Sequence, residues 1–312
     1  MTLTALLAVP PADLPKWRPA LEAAAQAEGV DLRLLTDPAE APEAVETVIY
    51  NPEGPVRDFT PFPNLRAVLS MWAGVETIVG DPTIKVPLTR MVEPGLTEGM
   101  TDWVAAHVLR LHTGLDRHLN LARDAWPQWH PPLSRHRRVG VLGLGELGAD
   151  AAAMLARLRF DVAGWSRTTK SVEGVACHAG PEGLDAVLAR SEILVLLLPA
   201  TPETDGLMTA ERLARMPEGA ALLNPGRGTL IDDAALIEAL DRGRLSHAVL
   251  DVFREEPLPP DHPFRAHPKI TVTPHIASVT RPETAAPALA AQLGRLARGE
   301  ALRHVVDRTR GY

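Results

Sequence analysis

The sequence predicts an α/β protein with parallel sheets in two domains, and three observations carry that prediction. Short apolar runs alternate with amphipathic stretches along the chain; several runs, such as ILVLLL at 193–198, are apolar without interruption; and one run, ending at Leu142, passes directly into a glycine-rich turn. Uninterrupted apolar strands are what a parallel sheet covered on both faces requires. With 312 residues, 46% of them hydrophobic, the chain can bury a full core, and its size suits two modest domains better than one.

Residues 3–9 read as a first buried strand, and 11–28 as a helix whose Trp17, Leu21 and Ala25 share a face. Further apolar runs at 31–35, 47–50 and 66–70, separated by Pro and Gly, complete a small first α/β domain. From Thr97 the pattern becomes a long helix in which Met100, Val104, Val108, Leu111 and Leu115 recur every three or four residues. The proline-rich stretch 126–137 reads as a connector. A second domain begins at Arg138, with strands expected at 139–142, 161–165, 193–198, 220–223, 247–251 and 270–273. The tail from Pro282 is helical, and periodicity alone does not say which domain it joins.

Composition removes several classes of function. A net charge of -7 is mild for this length and argues against a nucleic-acid surface. The single cysteine, Cys177, leaves no disulfide framework and points to a reducing, cytoplasmic setting. The N-terminal run lacks the basic region of a signal peptide, and no window is long and apolar enough to span a membrane. The sequence has no HExxH and no Cys/His pairing for a metal, no GxSxG, and no Lys-Ser/Thr ending a P-loop.

VGVLGLGELG at 139–148 sets Gly143, Gly145 and Gly148 in the GxGxxG pattern after a strand and before a helix. The first glycine permits a tight turn, the second lets backbone approach a pyrophosphate, and the third lets helix pack on strand, as in Rossmann-like dinucleotide sites. An ordinary tight turn is the plainer alternative. An NAD site normally carries an acid about 20 residues on, for the ribose 2′-hydroxyl. Here Ser166, Arg167 and Thr168 follow the second strand, with Lys170 close behind. A hydroxyl and a guanidinium suit a 2′-phosphate, which favours NADPH over NADH. Arg167 as a solvated surface residue is the alternative.

Three ionisable residues stand just past three consecutive expected strands: Arg227 after ALLNPG, Glu256 after AVLDVFRE, and His275 after ITVTP. Ligands of doubly wound sheets bind beyond the carboxyl ends of the strands, so these distant residues can share one cleft. Arg227 can grip substrate oxygens with two prongs, and histidine is the residue type suited to proton exchange near neutrality. Glu256 would orient the imidazole and support its protonated form. Taken singly, each has a plainer reading: a turn or cap for His275, a solvated loop acid for Glu256, a surface turn for Arg227.

These motifs resemble the D-2-hydroxyacid dehydrogenase family, most closely its glyoxylate/hydroxypyruvate reductase A branch. The resemblance covers essentially the whole chain and rests on GLGELG at 143–148, GWSRTTK at 164–170, LLLPATPETDGL at 196–207, LLNPGRG at 222–228, LDVFREEPLP at 250–259 and TPHIAS at 273–278. It implies Arg227, Glu256 and His275 as catalytic residues and NADPH-dependent reduction of glyoxylate and hydroxypyruvate. It implies a cofactor site including Gly143, Gly145, Glu146, Leu147, Gly148, Ser166, Arg167, Thr168, Lys170, Pro199 and Asp251, the last on the nicotinamide carboxamide. SMWAGVE stands where the family has its substrate-carboxylate loop, implicating Trp72, Ala73 and Gly74 together with Arg227 and His275. Trp72 replaces the small residue common there, which would narrow the pocket toward two- or three-carbon acids; hinge packing is its alternative role. The implied fold is two Rossmann-like domains, with a cofactor domain at 97–281 inserted into a discontinuous substrate domain of 1–96 and 282–312, assembled as a homodimer. Two rivals stay open: a longer or phosphorylated 2-oxo acid as substrate, and a cofactor-sensing binding protein without turnover.

Overall fold

The computed structural model describes residues 2–119, 121–122 and 125–312. The chain forms two compact units, Met1–Leu96 with Val279–Tyr312, and Thr97–Ser278.

In the first unit, β1 (Leu3–Ala8), β2 (Leu32–Leu35), β3 (Thr47–Tyr50), β4 (Ala67–Ser70) and β5 (Leu88–Thr89) form a parallel sheet in the order β2-β1-β3-β4-β5. Every residue of β1, β3 and β4 is buried, because successive side chains enter separate cores on the two faces. Leu3, Leu7, Ile49 and Leu69 meet Trp17 and Leu21 of α1 (Leu14–Ala27) and Leu289 and Leu293 of the C-terminal helix Pro282–Ala297. Leu6, Val48, Tyr50 and Val68 face Phe59 and Phe62 instead. The C-terminal helix thus belongs to this unit, packed beside α1. The two-residue β5 carries too little apolar sequence to be foreseen; an antiparallel bridge from Thr89 to Val305 covers its outer side.

The long helix α2 spans Pro94–Thr113, starting ahead of the expected Thr97. Proline suits the first helical position, and the buried Glu93 carboxylate accepts the amides of Gly95 (2.6 Å) and Leu96 (2.7 Å). Met100, Val104 and Val108 are buried as read. Leu115 is not on that face: Gly114, at φ +62°, turns the chain after Thr113 and leaves Leu115 exposed.

After α3 (Asp116–Leu119) come β6 (Arg138–Leu142), α4 (Glu146–Arg157), β7 (Asp161–Ser166), β8 (Ala176–Ala179), α5 (Gly180–Arg190) and β9 (Ile193–Leu196). Then follow α6 (Ala210–Arg215), β10 (Ala220–Asn224), α7 (Asp233–Asp241), β11 (Leu245–Leu250), α8 (Pro263–Ala266) and β12 (Ile270–Val272). The seven strands are parallel in the order β12-β11-β10-β9-β6-β7-β8. Strand order reverses between β6 and β9, where loops leave in opposite directions and open a crevice at the carboxyl ends. The apolar run at 193–196 serves both faces: Ile193 and Val195 enter one core, Leu194 and Leu196 the other. The unforeseen β8, ACHA, is a half-exposed edge strand and so lacks an apolar signature. No helix among the described residues is long and apolar enough to cross a membrane.

Candidate active site

The three glycines at the β6–α4 turn meet three different surroundings. Gly143 has φ +105°, and a Cβ there would lie 2.4 Å from the Leu197 carbonyl oxygen. Gly148 is tighter still, with a Cβ falling 1.8 Å from the Gly143 carbonyl oxygen, so the helix sits directly on the turn. A Cβ on Gly145 would meet nothing within 4 Å. Open space therefore faces the residue that caps α4, whose first turn contains Glu146, Leu147 and Gly148. First-turn amides lack intrahelical acceptors and suit an anion. This combination fits a dinucleotide pyrophosphate.

At the end of β7, Gly143 N donates to Trp165 O (2.8 Å), holding the glycine turn beside Ser166. Ser166 itself is buried and its hydroxyl donates to Thr168 O (2.6 Å), so its proton shapes the turn. Arg167, Thr168 and Lys170 are exposed. The Glu203 carboxyl is held below its ordinary range, chiefly by the Thr201 side chain and its own amide and more weakly by Arg167. Arg167 is thus within electrostatic reach of the loop after β9. Pro199 lies in that loop, and its carbonyl accepts from Thr204 Oγ1 (2.7 Å).

The three ionisable residues follow three adjacent strands. β10 pairs with β11 and β11 with β12, so Arg227, Glu256 and His275 leave neighbouring carboxyl ends of one sheet. Arg227 is half-buried between the buried Gly226 and Gly228; its Nη1 donates to Gly226 O (2.7 Å), and Asn224 Nδ2 donates to its carbonyl (2.8 Å). Gly228 has no room for a side chain, since a Cβ would lie 2.0 Å from the Phe253 carbonyl carbon. The turn bearing Arg227 therefore abuts the loop bearing Glu256.

Glu256 divides its carboxylate between two partners. Oε1 accepts from Phe253 N (2.8 Å), and Oε2 lies 2.6 Å from His275 Nδ1. An ionised carboxylate accepts, so Nδ1 carries the proton it donates and Nε2 is left for chemistry. The imidazole is 53% exposed, enough for a small molecule to reach it.

His275 adopts φ +52°, a left-handed conformation that non-glycine residues seldom hold without support. Asp251 supplies that support, a feature the sequence reading missed. Fully buried, it accepts from Thr273 Oγ1 (2.6 Å) and Ile276 N (2.9 Å) on Oδ1 and from Ala277 N (2.8 Å) on Oδ2. Its carbonyl takes His275 N (2.8 Å). Most of the acceptor capacity of Asp251 thus serves the histidine loop.

Trp72, Ala73 and Gly74 lie in the other unit, just past β4. Ser70 Oγ accepts from Trp72 N (3.1 Å) and donates to Trp72 O (3.2 Å), while Met91 N also donates to Trp72 O (2.9 Å). The backbone there is fixed and the indole is 39% exposed. Among the described residues, no group of three or more His, Cys, Asp or Glu is placed to hold a metal ion.

Residues 105–277 match the family model of the D-isomer specific 2-hydroxyacid dehydrogenase, NAD binding domain. A D-isomer specific 2-hydroxyacid dehydrogenase from Xanthobacter autotrophicus Py2, solved with NADPH and MES, is 41% identical over 100% of both chains, with a TM-score of 0.92. An NADPH-dependent glyoxylate/hydroxypyruvate reductase from Sinorhizobium meliloti, solved with NADP and sulfate, is 33% identical over 99% of this chain and 100% of its own, with a TM-score of 0.85. A probable 2-hydroxyacid dehydrogenase from Rhizobium etli CFN 42, solved with NADP, HEPES and L(+)-tartaric acid, is 32% identical over 100% and 99%, with a TM-score of 0.84.

Proposed function

The chain belongs to the D-isomer specific 2-hydroxyacid dehydrogenase family, and from that premise we propose that it reduces glyoxylate to glycolate and hydroxypyruvate to D-glycerate with NADPH. It is an NAD(P)-dependent 2-hydroxyacid dehydrogenase; the substrates and residue roles are our reading. The observation that carries the reading is the 2.6 Å contact between His275 and Glu256 at strand ends adjoining that of Arg227.

The cofactor, when bound, supplies the hydride that reaches the carbonyl carbon. His275 Nε2 gives the accompanying proton to the carbonyl oxygen, and the product is the 2-hydroxy acid. Glu256 keeps Nδ1 protonated and the ring in place. The Arg227 guanidinium holds substrate oxygens, and the backbone of Trp72, Ala73 and Gly74 receives the substrate carboxylate, with the indole limiting substrate size. Gly143, Gly145, Glu146, Leu147 and Gly148 would cradle the pyrophosphate; Arg167, Thr168 and Lys170 would face the 2′-phosphate; Pro199 and Asp251 would border the nicotinamide. Residues 1–96 and 282–312 form the substrate domain, and 97–281 the cofactor domain. The exposed Leu115, Leu119, Trp126 and Leu133 support a homodimer, which light scattering would read directly.

The test is steady-state oxidation of NADPH and NADH with glyoxylate, hydroxypyruvate, pyruvate and 3-phosphohydroxypyruvate. We expect NADPH with the first two to be fastest. A preference for NADH would unseat the role of Arg167. A bulkier acid as best substrate would unseat that of Trp72.

A further inference from the structure

The geometry points to Arg254 as a positioning residue for the active site, an inference that rests on the function proposed above. Arg254 lies in the loop between Phe253, whose amide holds Glu256 Oε1, and Glu256 itself. Its guanidinium reaches across two other loops. Nε (3.2 Å) and Nη2 (2.9 Å) donate to Ile231 O, and Nη2 also donates to Thr229 O (3.0 Å). Nη1 donates to Asp205 Oδ1 (3.2 Å).

The bonded groups belong to the segments on which the chemistry depends. Thr229 and Ile231 continue the turn bearing Arg227, and Asp205 lies in the loop after β9 that carries Pro199. Those two loops already touch: Gly206 N donates to Thr229 O (2.8 Å) and Met208 N to Leu230 O (2.8 Å). Arg254 adds the third loop to them. Among the described residues the Glu256 carboxylate bonds to Phe253 N in its own loop and to His275, so the Arg254 guanidinium, with the Gly228–Phe253 backbone contact, relates Glu256 to Arg227.

Only arginine makes this connection in full. Its planar fork reaches two carbonyls and a carboxylate at once, whereas a lysine ammonium is one compact charge. The side chain is 41% exposed, so these bonds add little to global stability and their effect falls on placement. Displacing a catalytic group by about 1 Å can cost up to ~10²-fold in rate.

The test compares the full-length wild type with Arg254→Ala and Arg254→Lys. We expect Arg254→Ala to lower kcat about tenfold, on the scale of that placement effect, with the KM for NADPH and the melting midpoint nearly unchanged. Arg254→Lys should recover part of the loss. The His275 ring resonances, followed by NMR without substrate, should move in Arg254→Ala and return toward wild type in Arg254→Lys. Wild-type kcat and unmoved His275 resonances in Arg254→Ala would overturn the proposal and leave the function standing, as would a rate loss that only tracks lost folded protein. A wild type inactive on every 2-oxo acid would sink the proposed function, while the resonances would still report whether Arg254 positions the pair.

Discussion

The two sides of the seven-stranded sheet build their parts of the site by opposite means. On the β6–β7 side the site is made of missing side chains: Gly143 and Gly148 let backbone meet backbone, and Gly145 leaves open space. On the β10–β12 side it is made of crowded polar groups. There Asp251, Arg254 and Glu256 spend nearly every donor and acceptor on fixing neighbouring loops around His275. The first side admits a ligand; the second holds a strained residue in one conformation. They should therefore fail differently.

Gly148→Ala should do the most damage, because its methyl would lie 1.8 Å from a carbonyl that cannot retreat without moving the turn. Overpacking typically costs about 1–3 kcal/mol and at times more, a clash with backbone standing at the upper end, and both denaturant unfolding and NADPH binding should register it. On the opposite side, Asp251→Ala leaves the buried amides of Ile276 and Ala277 without their acceptor. We expect a loss of roughly 2–3 kcal/mol by denaturant titration, with turnover falling as the histidine loop loosens. Gly145→Ala sharpens the contrast, since the new methyl meets no protein atom and stability should hold. NADPH affinity should still fall about tenfold, or about 1.4 kcal/mol, because the methyl occupies the space offered to the phosphates. Equal losses of stability in the Gly145 and Gly148 variants would break the comparison.

The smallest expected effect concerns pH. Burial pushes the pKa of His107, His112 and His247 below 6.5, and nearby arginines, Arg110 for His107 and His247 and Arg137 for His112, push the same way. A depressed folded-state pKa contributes stability that is present above the unfolded value and lost as pH falls through the folded one. The melting midpoint should therefore drop as pH is lowered from 7 through 6 and below, and His112→Phe should flatten part of that slope. A midpoint unchanged over that range would contradict the assignment.

The same contrast explains what the sequence made legible. Glycines at fixed spacing after an apolar run, and an unbroken run such as 193–196 with cores on both faces, are local patterns that survive without coordinates. The placement of Arg227, Glu256 and His275 past adjacent strand ends was legible because each follows a strand, and parallel pairing brings successive strand ends together. Beyond the Glu256–His275 pair, hydrogen-bond partners were not. Nothing in DVFREEP distinguishes Arg254 from a solvated loop charge, and the carryover from the family pointed Asp251 toward the nicotinamide with no sign of the bonds it makes to 273–277. Leu115 misled because periodicity continues past Gly114 while the helix does not. The start of α2 was hidden because glutamate is an unusual cap.

We propose proton delivery by His275 on the crowded side and pyrophosphate binding on the glycine side. Measuring turnover of glyoxylate and NADPH affinity in the same preparation of His275→Ala tests it most directly. We expect turnover lower by about 10²–10⁴-fold, with NADPH affinity close to that of the wild type. Undiminished turnover would contradict it.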